Sequence, residues 1–139
     1  MRVVLDTNIL ISAFVFPGGA PEFVYRAAIE RRIDVVTSPP LLAELGRVLS
    51  EKFGWETAMV EGAVGQVARI ATVVRPTERL SVVEQDPADD RVLEAAAEGD
   101  AEVIVSGDRH LTRIGTWEGI RIVKAPALLV ELGIAVEKV

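Results

Sequence analysis

Short, unbroken apolar runs constrain this chain more than any other feature. They are "RVVLD" (2–6), "DVVTS" (34–38), "EVIVS" (102–106) and "IRIVKA" (120–125), with a weaker one in "TVVRP" (72–76). Their β-branched content marks them as strands. They are continuously apolar rather than alternating, as strands of a parallel sheet covered on both faces are. Helical spacing fills the intervals 20–31, 39–53, 55–71, 87–99 and 126–133, and a further helical segment starts near Asn8. This alternation predicts a three-layer α/β/α sandwich around a central, mainly parallel sheet. With 139 residues the expectation is one domain over 1–139.

Composition excludes several function classes. There is no cysteine, so disulfides and thiolate metal sites are ruled out. The formal net charge is −6, the wrong sign for a protein that holds nucleic acid by bulk charge. No apolar run reaches the ~20 residues of a membrane span, and the N-terminus lacks a signal-peptide layout. A cytoplasmic protein without a membrane partner is expected.

The remaining clues are acids placed where strands end and helices begin, which is where open parallel sheets gather functional groups. Asp6 ends the first strand, at some cost unless a helix start, an ion pair or a metal compensates it. Asp108 follows another strand in "VIVSGDRHL". Taken singly, each reads as a cap or turn residue. Glu44 lies at the edge of the apolar stripe of Leu41, Leu42, Leu45, Val48 and Leu49, where a glutamate is solvated or points into a cleft. "EQDPADDRVLEAAAE" carries Asp86, Asp89 and Asp90 at one helix start. One cap and one dipole partner would satisfy that helix, so the adjacent pair is in excess. If the first and fourth strands are neighbours, all these acids converge on one sheet edge. Carboxylates so close repel one another unless a cation holds them. Hard oxygen donors without Cys or paired His select Mg²⁺ or Mn²⁺, which suits phosphoryl chemistry.

In order along the chain, "VVLDTN", the glutamate of "ELGRVL", "DPADDRVL" and "VSGD" resemble the PIN-domain ribonucleases, in particular the VapC-like toxins of prokaryotic toxin–antitoxin pairs. The resemblance spans nearly the whole chain. It implies the α/β/α sandwich, a Mg²⁺ or Mn²⁺ cofactor, RNA as substrate, a small antitoxin protein as partner and a homodimer. It further implies that Asp6, Glu44, Asp90 and Asp108 form the acidic metal and catalytic site, steadied by Asn8 and Ser106. "SGD" stands where many relatives have threonine first, which keeps the hydroxyl. Helical phase places Asp89 nearer than Asp90 to the centre of the Val92/Leu93/Ala96 stripe. The family spacing favours Asp90 in Asp90-Arg91-Val92-Leu93, with Asp89 in support.

Arg109, with Arg113 nearby, is the expected phosphate contact. His110 reads as an exposed or half-packed histidine, Trp55 and Trp117 as packing or partner-surface residues, and Gly18-Gly19 as a turn without a phosphate role. Two alternatives remain. One is a PIN-like module that binds RNA or protein without cutting. The other is a haloacid-dehalogenase-type phosphatase, which requires a second aspartate where this chain has Asn8.

Overall fold

The computed structural model describes residues 1–83 and 86–136. Six strands form one sheet: β1 (Arg2–Leu5), β2 (Asp34–Thr37), β3 (Thr72–Val73), β4 (Val103–Val105), β5 (Thr116–Trp117) and β6 (Ile120–Val123). Their spatial order is β3-β2-β1-β4-β6-β5. Every pairing is parallel except the β5–β6 hairpin. The helices are α1 (Thr7–Val15), α2 (Ala20–Ile29), α3 (Pro39–Glu51), α4 (Thr57–Ile70), α5 (Pro87–Glu98), α6 (Arg109–Thr112) and α7 (Ala125–Leu132).

Successive strand residues serve opposite faces, which makes two cores. Val3, Leu5, Val35, Val103 and Val105 pack against α1, α2, α3, α4 and α7. Val4, Val36, Ile104 and Ile122 pack against α5, Leu41 and Leu111. The sheet is therefore a buried middle layer, as its unbroken apolar runs predicted. No helix among the described residues is long and apolar enough to cross a membrane.

Strand 120–125 ends earlier than the sequence suggested, at Val123, and the 72–76 run is paired only at Thr72–Val73. The β5 strand had no sequence signal, because two residues are too few to show a period. Its hairpin turns at Glu118 and Gly119, both at positive φ (48° and 81°), as a type I′ turn requires.

The arrangement that matters for function is the central pairing of β1 with β4, with Leu5 opposite Val105. It carries the segments after both strands to the same sheet edge. Pro87 in the first turn of α5 starts that helix there too, behind an Asp86 cap whose side chain accepts from the Ala88 N–H at 3.1 Å.

Candidate functional site

Asp6 follows β1 and is 5% exposed. Its backbone does what a cap residue does: its carbonyl accepts from the Ile9 N–H at 2.9 Å. Its carboxylate does not cap α1. Instead, Asp6 Oδ2 accepts from the Ser106 hydroxyl at 2.7 Å. Ser106 Oγ in turn accepts from the Asp108 N–H at 3.0 Å, so one fully buried serine links the ends of β1 and β4. Asp108 both caps α6, accepting from the His110 N–H at 2.7 Å, and offers its carboxylate to the cluster.

The start of α5 supplies the other acids. Asp86, Asp89 and Asp108 each present a carboxylate oxygen, and these oxygens all lie within 4.8 Å of one another. Asp89 is 4% exposed, and its Oδ2 has no hydrogen-bond partner among the described residues. Glu44 on α3 lies outside this three-acid group, near enough for its charge to act on Asp6, and its Oε2 accepts from the Thr7 hydroxyl at 3.3 Å.

The electrostatics follow from this gathering. Burial pushes the Asp6 carboxyl up to about 6; the charges of Asp108 and Glu44 push the same way, and the Ser106 hydrogen bond opposes them. Burial, followed by the charges of Asp108, Asp86 and Asp6, holds Asp89 well above the ordinary carboxylate range. Asp6 and Asp89 are thus expensive to ionise, first because they are buried and then because of their neighbours, which is the condition a bound cation relieves.

The adjacent aspartates of α5 differ from the sequence expectation. Asp89 faces the cluster, whereas Asp90 Oδ1 accepts from the Val82 and Val83 N–H groups at 2.9 and 2.8 Å. The reason is helical phase. Asp89 lies three and four residues before Val92 and Leu93 and shares their inward face, while Asp90 stacks with Glu94 along the next row. The family spacing pointed to Asp90; the rotation of the helix turns Asp89 to the other acids.

Asn8 is exposed on the first turn of α1, and Arg109 is exposed on α6 beside Asp108. Trp55 packs edge-on against Phe14 at 6.3 Å, and Trp117 packs on the α5-side core. Two contributors escaped the sequence reading. Asp86 looked fully occupied as a cap, although its spacing of three from Asp89 places both on one helix face. Thr7 gave no separate signal, since its hydroxyl matters only once α3 brings Glu44 beside it.

Comparison with known proteins identifies the family and the fold. The family model described as the PIN domain matches residues 2–110. An uncharacterised protein of Methanocaldococcus jannaschii, MJ1680, is 30% identical over 116 residues, which span 80% of this chain and 73% of that protein. Two solved structures share the fold at lower identity. VapBC2 from Rickettsia felis, crystallised bound to a DNA fragment from its promoter, superimposes with a TM-score of 0.62 at 14% identity, covering 88% of this chain and 97% of the other. PAE2754 from Pyrobaculum aerophilum gives a TM-score of 0.55 at 15% identity, covering 95% and 88%.

Proposed function

Because this chain belongs to the PIN domain family, we propose that it is a divalent-metal-dependent ribonuclease and the toxin of a toxin–antitoxin pair. The observation that carries the reading is the convergence of Asp86, Asp89 and Asp108 within 4.8 Å, with a buried Asp89 oxygen left without a partner. Such a donor set fits Mg²⁺ or Mn²⁺, hard cations that take carboxylate oxygens. Asp89 and Asp108 would hold the ion, with Asp86 beside them and Asp6 and Glu44 completing the acidic wall. When bound, the cation supplies Lewis-acid activation of water and neutralises charge at the phosphate.

The protein groups have separate tasks. Ser106 orients Asp6 and anchors the Asp108 backbone, which sets the spacing between the two strand ends. Thr7 orients Glu44. Arg109 and Arg113 are exposed on α6 and at its end, in the turn that follows Asp108, suited to contact RNA phosphates. No protein nucleophile is needed, and Asn8 stands where an aspartyl phosphatase would need its second acid.

The fold shared with VapBC2 supports a small antitoxin as partner. A homodimer suits the exposed apolar groups near the α1 end and α4: Phe16, 61% exposed and edge-on to Phe53 at 5.8 Å, and Met59, 55% exposed. The deciding experiment is RNA cleavage with Mn²⁺ and with EDTA. Cleavage that needs Mn²⁺ and disappears in Asp89→Asn is the expected result. Mn²⁺ binding without cleavage of any RNA would leave the silent, PIN-like binding module as the correct reading.

A further inference from the structure

We infer that Asp90 is a positioning residue: through the backbone at 82–83 it fixes Asp86 and Asp89, without holding metal itself. The inference rests on the metal-dependent reading above. Three side chains of one helix face grip the segment that leads into α5. Asp90 Oδ1 takes the N–H groups of Val82 and Val83 at 2.9 and 2.8 Å. Glu94 Oε2 takes the Leu80 N–H at 2.7 Å and the Arg91 guanidinium at 2.9 Å. Arg91 closes the loop by donating to the Leu80 carbonyl at 3.2 Å.

The grip reaches the site by a short path. The Val83 carbonyl accepts from the Asp86 N–H at 3.4 Å, and the Asp86 carbonyl accepts from the Asp89 N–H at 3.0 Å. Val83 is itself buried in the α5-side core, 4% exposed, so the held segment is a packed element. Asp90 is 3% exposed, and one of its oxygens is committed to two backbone donors, of which the Val83 N–H is buried. Turning that oxygen to a metal would strand both amides, a cost larger than that of an ordinary lost hydrogen bond. Asp89, one residue earlier, carries the unpartnered oxygen instead.

The two roles make opposite predictions for one conservative change. An Asn at 90 keeps a carbonyl oxygen able to accept both N–H bonds, but it lacks the charge of a ligand. The test compares Asp90→Asn, Asp90→Ala and Asp89→Asn in two measurements. One is Mn²⁺ affinity, from the electron paramagnetic resonance of free Mn²⁺. The other is amide hydrogen exchange at Val82 and Val83 in the metal-free protein.

Asp90→Asn should hold Mn²⁺ within about threefold of the unsubstituted chain and keep both amides protected, its bonds merely losing their charge assistance. Asp90→Ala should expose the amides and weaken Mn²⁺ about tenfold, the usual scale for losing a ligand's support. Asp89→Asn should weaken Mn²⁺ further still, with protection intact. Loss of Mn²⁺ affinity in Asp90→Asn as deep as in Asp89→Asn, with the amides still protected, would make Asp90 a ligand and overturn the inference. So would Asp90→Ala with exposed amides and full affinity, since the grip would then not reach the site. If Asp90→Ala fails to fold, Asp90→Asn decides alone. Should the unsubstituted chain bind Mn²⁺ but cut no RNA, the nuclease reading falls while the affinity pattern still tests Asp90.

Discussion

Ser106 governs how readily Asp6 carries charge. Its hydroxyl is the principal group that favours the Asp6 carboxylate against burial and two neighbouring acids, with the Asn8 N–H adding a smaller share. Ser106→Ala removes that donor and moves the Asp6 carboxyl further up. Mn²⁺ affinity at pH 7 should fall about tenfold, and the deficit should shrink at pH 9, where Asp6 ionises regardless. Calorimetric titration at both pH values checks this, and a deficit that ignores pH would contradict it. Asp89→Asn separates ligand from cap in another way. At a cap Asn serves as well as Asp, but here it removes a carboxyl that the crowded, buried cluster resists ionising without a cation. The metal-free variant should melt at the same temperature or higher while losing Mn²⁺-dependent cleavage. At this scale the places of Asp6 and Asp108 after their strands and of Glu44 at the edge of its stripe were legible in the sequence, and their service as a metal site is part of the proposal. The sequence left the choice between Asp89 and Asp90 to helical phase, which family spacing overrode. Asp86 was hidden by its second role as a cap.

Among the elements, α5 carries both clustered acids and core residues, and its two ends do different things. Its first turn presents Asp86 and Asp89. Its far end passes so close to β2 that a Cβ on Gly99 would run into Val36 Cγ1, with the Ala95 carbonyl 3.1 Å away. Gly99 is at φ −89°, so the requirement is for space and not for an unusual backbone. The Gly99 carbonyl also accepts from Arg2 Nε at 2.6 Å, tying the helix end to β1. Gly99→Ala should therefore cost about 1–3 kcal/mol by overpacking and lower the melting temperature by several degrees. Mn²⁺ affinity of the folded fraction should hold, because the clash lies at the end of α5 away from the acids. Thermal melting combined with Mn²⁺ titration separates the two. The strands and long helices were legible because continuous apolar runs and 3.6-residue stripes leave a period in the sequence. The grip of α5 on 80–83 was not, since hydrogen bonds from Asp90 and Glu94 to a backbone carry no period at all.

For the whole molecule, the acidic cluster links stability to pH in the direction opposite to ordinary acid denaturation. An ion-paired carboxylate has a lowered pKa in the folded state and stabilises as pH rises. Asp6 instead rises from 3.8 to about 6 on folding, and Asp89 shifts the same way. Between those values the folded chain holds protons that the unfolded chain has already released, so stability falls as pH increases. For Asp6 the gap corresponds to about 3 kcal/mol at ~1.4 kcal/mol per pH unit, fully lost once pH passes about 6. Asp89 extends the decline to higher pH. On the proposed function, a divalent cation would bind the ionised acids of the folded chain, so its stabilisation would grow over the same range in which the metal-free protein weakens. Melting temperature in EDTA should therefore decline from pH 4 to 7. Saturating Mn²⁺ should flatten or reverse that decline, and Asp6→Asn should remove part of the slope in EDTA. Parallel curves with and without Mn²⁺ would mean that the cation binds somewhere other than these acids.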